Sequence, residues 1–546
     1  MGCDGTVTRL WGRLPGCWRC YIVVGAALAT RLLASPRTFG AALTPIRLLQ
    51  AALAAGASLF ILAWLAAAAL RLTFPYPLEI TEGASLEAVR GLLAGQPLYA
   101  TPTLEHVPQI YGPLYFYLAA LLAHLSGPSL ATLRLVSLLA SLGSLGCIYG
   151  LVHQETGHVA AGLLAAGLFA ASAPLSDGAL DLGRVDALLV CLLLASIYAA
   201  RGQRRWSSAL SGGLLGLAIL TKQAAAPVAL ALLASFALTD RRRLLLCAAG
   251  LALVLAVPLA ALELQSGHWA TLFLFQLPAQ HQILDVRLGL FWSLDILPRF
   301  TLVFALGPLF LLARARAGDY PTVLFYTLVC GSLVAIAWAA NSNPGAAANV
   351  RLPAYAALAV LFGLGFDEAL GQLGRLPREQ RALLNYGLCV GLFQLGLLAY
   401  NPRELAPYRS EGWADERLAT TLAALPGQVF APDFDAYVRP AGRAEQPYSG
   451  SAAELLGGYG GHAVPEGTAW MGQVEATLRQ HTYDEVVLDP ETPFFFFQGT
   501  LERAGYADAG PLFPSGDAFW LWRTGRVPKA EVYVPRDRLP AEQRPE

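Results

Sequence analysis

Stretches such as 51–70 and 244–262 run for about 20 residues without a charge, the length one helix needs to cross hydrocarbon. No other feature constrains the fold so strongly. In a bilayer core every backbone polar group must be satisfied within the protein, and helices do that segment by segment. The wider composition agrees, with 55% apolar residues against 14% charged, where soluble domains carry about 25% charged residues. A formal net charge of zero gives no sign of a nucleic-acid partner.

Apolar runs near 51–72, 129–152, 158–176, 185–200, 207–221, 223–238, 243–262, 299–314, 320–340, 352–366 and 382–400 predict eleven spans. Arginine clusters orient them: Arg201/Arg204/Arg205, Arg241/Arg242/Arg243, Arg314/Arg316 and Arg375/Arg378/Arg381. Positive loops stay in the cytoplasm. With the N-terminus inside and eleven spans, all four clusters fall on the cytoplasmic side. Loops 73–128, 177–184, 263–298 and 341–351 are then extracytoplasmic. Residues 111–125 form a shorter apolar run opened by Tyr111-Gly112-Pro113, expected as a juxtamembrane or re-entrant helix. Counting it as a span would put every arginine cluster outside.

The domain reading follows. Residues 1–47, rich in arginine, are a cytoplasmic basic extension; 21–34 are too short, and too interrupted by Arg31, for a convincing signal peptide. Residues 48–400 are the membrane domain. Residues 401–525 turn polar and rich in Gly and Pro, with strand-like pieces at 428–431 and 485–488 and a helical piece near 470–481. They predict a small extracytoplasmic α/β domain, followed by a flexible tail at 526–546. Of eight cysteines, Cys147, Cys191, Cys247, Cys330 and Cys389 fall in apolar runs, where they act as small hydrophobes. Cys17 and Cys20 lack a second ligand pair for a metal.

The expected outer loops carry the chemistry. Glu79 and Glu82 stand just beyond the first span, where a helix N-terminus would favour them even without a function. The alternative is a carboxylate facing a membrane-level cavity, acting as general base or metal ligand. The next loop supplies Asp177, Asp181, Arg184 and Asp186. An Arg184–Asp186 pair alone would be an interfacial anchor, but two loops place acids at one height. Lysine usage is the sharpest signal: the chain has two, Lys222 and Lys529. Lys222 sits at the tip of an apolar hairpin with no acid within a few residues, so it either snorkels to the interface or meets an anion such as phosphate. Arg351 lies at an equivalent height, and the 263–298 loop adds His268, His281, Asp285 and Arg287. Acids beside cations on one face suit an anionic lipid headgroup held next to a carboxylate that activates a hydroxyl. The candidate catalytic residues are Glu82, Glu79 and Asp186. The candidate phosphate-binding residues are Lys222, Arg351 and Arg184, with His281 and Tyr111 as further substrate contacts. No metal ligands are assigned, and a divalent cation is kept as a candidate cofactor.

Five elements occur in order over about residues 50–400: the acidic loop ITEGASLEAVRGLLAGQPLY, the proline-led YGPLYFYLAALL, GRVDALL, the hairpin LTKQAAAPVAL, and VRLPAY. In this set the chain resembles the GT-C superfamily of lipid-dependent glycosyltransferases, most closely the branch of protein O-mannosyltransferases and the aminoarabinose transferase of lipid A. The resemblance implies a polyprenyl-phosphate-linked sugar as donor and sugar transfer on the outer face; the reading taken from it is an inverting glycosyltransferase, with a glycan, lipid or protein as the acceptor. It also matches Glu82 to the second acid of an Asp-Glu pair, Asp186 to the second-loop acid, Lys222 to the phosphate-binding lysine and Arg351 to the basic residue before Leu-Pro. Two positions depart: Thr81 replaces the first acid, and Gly112 stands where some relatives have lysine. A lipid-linked sugar flippase is the competing reading. It would need ionisable residues along the spans and, in many such proteins, internal repeats, whereas here the charges gather on one side. A non-catalytic scaffold would leave Lys222 without a reason.

Overall fold

The computed structural model describes residues 45–377, 382–407, 409–439, 441–489, 496–513 and 530–539. Nearly all of the expected N-terminal extension, Arg378, Arg381 and Lys529 lie outside these residues. The helical part consists of α1 (Pro45–Leu72), α2 (Ile80–Leu93), α3 (Leu114–Ser126), α4 (Leu130–Thr156), α5 (Val159–Ala171), α6 (Val185–Ala200) and α7 (Arg205–Thr221). It continues with α8 (Ala226–Thr239), α9 (Arg241–Ser266), α10 (Leu297–Arg316), α11 (Tyr320–Asn341), α12 (Leu352–Gly374) and α13 (Ala382–Leu397). Helices α2 and α3 belong to the first long loop. Of these longer helices among the described residues, the other eleven overlap the eleven apolar runs.

Six segments are long and apolar enough to cross a bilayer: α1, α4, α9, α11, residues 285–316 ending in α10, and residues 348–374 containing α12. Helices α5 to α8 and α13 are shorter apolar helices of 10–17 residues. Helix α9 shows most plainly what surrounds the bundle. Only Cys247 and Leu262 are buried along it, while Leu245, Leu253, Val257 and Leu264 are 65–89% exposed. A helix apolar all round and barely covered by protein is stable only in an apolar solvent. Where α9 meets α7, the backbones nearly touch: a Cβ on Gly212 would overlap the Cys247 carbonyl oxygen, the close approach that small residues permit between membrane helices.

Local sequence fixes the helix ends. The Ser129 hydroxyl accepts from Thr132 N, and Gly157 closes α4 in the left-handed region. Asp240 caps α9 by accepting from Arg242 and Arg243 N. At the arginine-rich end of the bundle, Arg201 pairs with Glu155 at 2.6 Å, and Arg243 donates to the Ala200 and Gly202 carbonyls. Residues 184–186 and 222–227 lie at the opposite ends of the same helices.

The C-terminal part adds α14 (Arg409–Ala424), α15 (Asp435–Val438), α16 (Ser449–Leu455), α17 (Pro465–Arg479) and α18 (Phe496–Arg503). Its strands are β1 (Val429–Phe430), β2 (Glu485–Leu488), β3 (Tyr506–Pro511) and β4 (Glu531–Pro535), in sheet order β1-β2-β4-β3. β1 and β2 are parallel, and β4 runs antiparallel to both β2 and β3. Val486 and Leu488 pack with Trp470, Val474 and Leu478 of α17, while Val487 between them packs with Leu418 and Leu422 of α14. That period-2 alternation buries both faces of the sheet. The expected flexible tail from 526 is corrected here. Residues 531–535 are an inner strand, because Val532 and Tyr533 pair with β2 and supply β-branched and aromatic bulk that outweighs the surrounding Pro and charge.

This part rests on the elements of the first long loop of the bundle. Trp470 Nε1 donates to the Thr103 carbonyl at 2.8 Å, Arg439 forks onto Glu87 of α2 at 2.7 Å, and Trp470 shares a core with Tyr99 and Val107.

Candidate active site

A cavity of about 670 Å³ lies between the bundle and the C-terminal part. Its bundle wall carries Glu79, Tyr111, Arg184, Lys222 and His281. The chain turns sharply where these residues sit. Lys222 is extended (φ −156°, ψ 122°) between α7 and α8, so the ammonium is delivered from a helix break. Arg184 is extended too, immediately before α6, and Asp186 occupies that helix's first turn.

The charges alternate along the wall. Glu79 Oε1 lies 2.9 Å from Arg184 Nη1. Arg184 Nε is 3.4 Å from Asp186 Oδ2, and Asp186 Oδ1 is 2.9 Å from Lys222 Nζ. Lys222 Nζ stands 5.2 Å from the Tyr111 ring centroid, a cation–π distance. Burial works against the Lys222 charge, and the Asp186 carboxylate more than offsets it, so the ammonium is held above its ordinary range. Lys222 is therefore not without an acid, as its local sequence implied. The partner lies 36 residues away in sequence. Asp186 itself is almost fully buried beside a narrow apolar slot lined by Leu189, Val190, Ile336 and Pro353.

Glu79 and Glu82 separate. Glu79 is the N-cap of α2: its Oε2 accepts from Thr81 N at 3.0 Å, and its side chain keeps 26% exposure to the cavity. Glu82 is fully buried and does not line the cavity. Its Oε1 accepts from Arg134 Nε at 3.0 Å and Gly183 N at 2.6 Å. Its Oε2 accepts from Arg134 Nη2 and Leu78 N, both at 2.7 Å. Burial opposes this carboxylate's charge, but Arg134 and the two backbone N–H groups outweigh it and hold the carboxyl below its ordinary range. A carboxylate that already accepts from four donors and is closed to the cavity is poorly placed to take a substrate proton, so the structure does not bring Glu82 to the position expected of a catalytic acid–base residue. Arg134 spends its remaining N–H groups on the carbonyls of Arg71, Phe74 and Tyr76, so this pair fixes the loop that presents Glu79.

Arg351 also stands aside. It pairs with Asp295 at 2.8 Å and donates to Asn341 Oδ1 at 3.0 Å, outside the cavity lining. Asp181 is buried against Arg71 at 2.5 Å and accepts from Trp64 Nε1 at 3.1 Å, tying its loop to α1. His281 lines the cavity and lies 2.6 Å from Glu454 of α16, a residue that gave no signal in the sequence. Among the described residues no three His, Cys, Asp or Glu side chains gather so as to hold a metal ion. In the cavity Glu79 pairs with Arg184, and Glu454 with His281.

Residues 107–263 match the model of the dolichyl-phosphate-mannose-protein mannosyltransferase family, a stretch that contains Tyr111, Arg184, Asp186 and Lys222. The structure is similar to ArnT from Cupriavidus metallidurans, at 14% identity over 88% of this chain and 97% of that one. The TM-score is 0.54 for its apo state and 0.56 for its complex with undecaprenyl phosphate. At that identity the likeness is one of fold. A search of curated proteins finds no match. The chain thus has the architecture of the GT-C glycosyltransferases, the class it resembles in sequence. Within that class the likeness falls on the branch of the protein mannosyltransferases, by family model, and of ArnT, by structure.

Proposed function

We propose that this protein transfers a sugar from a polyprenyl-phosphate donor to an acceptor hydroxyl in the cavity beneath its C-terminal part, on the extracytoplasmic face. The observation that carries this reading is the alternating series Glu79–Arg184–Asp186–Lys222, in which Glu79, Arg184 and Lys222 line a cavity large enough for a substrate and the buried Asp186 joins the two cations. Arg184 and Lys222 both line the cavity and both pair with the buried Asp186, which suits a phosphate monoanion or dianion. The undecaprenyl phosphate bound by ArnT supports this kind of donor.

The chemistry follows from the groups in place. Glu79, the acid exposed to the cavity beside the cations, takes the proton of the acceptor hydroxyl. That oxygen attacks the anomeric carbon, the bond from this carbon to the phosphate oxygen breaks, and the polyprenyl phosphate leaves with the bonding electrons. Arg184 and Lys222 stabilise the charge that grows on it. Attack opposite the leaving group inverts the anomeric centre. Asp186 holds Lys222 at the wall rather than reacting. The arginine clusters at the other end of the bundle favour an extracytoplasmic cavity: a reporter active only in the cytoplasm, fused after residue 400, is expected to stay silent.

The test uses purified protein in lipid nanodiscs, undecaprenyl-phosphate-linked radiolabelled sugars and envelope extract as acceptor. Glu79→Gln lowers transfer by about 10²–10⁴-fold, the usual worth of a positioned base, while undecaprenyl phosphate still binds. Full activity in Glu79→Gln would remove the base from this mechanism, and a wild-type protein that does not bind undecaprenyl phosphate would end the reading.

A further inference from the structure

The cavity has a second end. The wall facing the charged series belongs to the C-terminal part and carries Tyr448, Ser451, Glu454 and Tyr459. Tyr459 lies in the segment Gly457-Gly458-Tyr459-Gly460-Gly461, an aromatic residue between two glycine pairs. Gly457 and Gly460 take φ of +75° and +86°. A Cβ on Gly460 would overlap Gln282, so only glycine lets this turn lie against the 280–283 loop. There Gln282 N donates to the Tyr459 carbonyl, and His462 N donates to Gln280 Oε1, both at 3.3 Å. On its other side the Tyr459 ring rests on Gly345, where a Cβ would come within 2.7 Å of a ring carbon. The fold thus fixes Tyr459 by its backbone on the 280–283 loop and by one side of its ring on Gly345.

The neighbours of the ring complete a polar edge. Glu454 Oε2 is held 2.6 Å from His281 Nε2, and the imidazole meets the Tyr459 ring edge-on, with centroids 6.3 Å apart. Tyr111 carries the aromatic lining back toward Lys222. Among the described residues no lysine or arginine lines the C-terminal wall, and Glu454 and Glu79 would repel an anion there. A flat aromatic surface bordered by carboxylate and imidazole suits a neutral ring with apolar C–H faces and hydroxyls at its edge. We infer that this end is a carbohydrate subsite, in which Tyr459 supplies the stacking face and Glu454, oriented by His281, accepts sugar hydroxyls. The inference rests on the donor reading above and specifies what lies beyond the phosphate. A sugar reaches the subsite either on the lipid donor or on an acceptor glycan.

Titrations into the full-length protein in nanodiscs separate these sources. The probes are bare undecaprenyl phosphate, undecaprenyl-phosphate mannose and glucose, and a panel of soluble oligosaccharides. Tyr459→Ala and Glu454→Gln are expected to bind the bare lipid as the wild type does, and to lose about threefold to tenfold in affinity for a sugar probe. Loss on the lipid-linked sugars marks a donor subsite, and loss on the oligosaccharides an acceptor subsite. Gly345→Ala displaces the same ring from the bundle side and gives the same selective loss with the C-terminal part unaltered. Wild-type affinity of the variants for every sugar probe overturns the inference, and so does a wild-type protein that favours no sugar probe. Equal loss of bare lipid and sugar in all three variants overturns it too, because the group would then belong to the phosphate end. Failure of the wild type to bind bare undecaprenyl phosphate strikes the donor reading instead and leaves the oligosaccharides to decide the subsite.

Discussion

Two glutamates three positions apart on one short helix have opposite environments, and the difference lies in the donors each one meets. Glu79 caps α2 with one oxygen and offers the other to Arg184 at the cavity; Glu82 is enclosed by Arg134, Gly183 and Leu78. Glu82→Gln is therefore expected to act on stability. Removing one partner of a buried ion pair leaves the other charge uncompensated, at a cost of about 3–5 kcal/mol. The melting temperature in nanodiscs should fall sharply for Glu82→Gln and stay near wild type for Glu79→Gln, whose activity alone is lost. Normal melting of Glu82→Gln would show that the Arg134 clamp is not what orders this loop. The sequence carried most of this wall but not its sorting. Lysine rarity singled out Lys222, and the second loop supplied Arg184 and Asp186. Arg134, one arginine among many, gave no reason to pair it with Glu82, 52 residues away. The same blindness to long-range pairing hid Asp186 from Lys222 and Asp295 from Arg351.

At the scale of elements, the hairpin of α7 and α8 presents Lys222, and the segment before α3 holds that hairpin in place. Gln223 Nε2 donates to the Ile110 carbonyl at 3.0 Å, and Gly112 lies so close that a Cβ there would sit 2.2 Å from the Leu220 carbonyl oxygen. This contact accounts for the departure at Gly112 from relatives that carry lysine: a side chain at this point meets backbone. Gly112→Ala is expected to push Tyr111 away from Lys222, destabilise the protein by about 1–3 kcal/mol through overpacking, and weaken binding of bare undecaprenyl phosphate. Unchanged affinity together with unchanged melting would mean that the two segments part without consequence. The elements themselves were legible because eleven apolar runs in membrane solvent leave helix as the one local solution. How many cross fully was not, because α5 to α8 and α13 are short by length alone. Strand β4 escaped notice because its few apolar residues sit among prolines and charges, and its partners β2 and β3 lie well upstream in sequence.

Across the whole molecule, the C-terminal part closes the cavity by docking α15 onto α2, and one buried carboxyl sits at that seam. Asp435 is almost fully buried, in the first turn of α15. Burial pushes its carboxyl well above the ordinary carboxylate range, and the charges of Glu87 and Asp433 push it further. Glu87 is in turn held by Arg439 at 2.7 Å and lies beside Arg90. The sign of the linkage follows. The folded protein binds the Asp435 proton more tightly than the unfolded chain does. Stability contributed by this group is therefore complete below the unfolded carboxylate pKa of about 3.9, and it declines as pH rises toward the elevated native value. Asp435→Asn keeps the shape and cannot ionise. Melting temperatures of the two proteins in nanodiscs should nearly coincide near pH 4 and diverge as pH rises, with the asparagine form the more stable. Glu87→Gln in the wild-type background should narrow that gap by removing one of the repelling charges, although it also frees Arg439. Parallel curves for wild type and Asp435→Asn would show that Asp435 ionises as an ordinary carboxylate, and that the seam over the cavity does not depend on its proton.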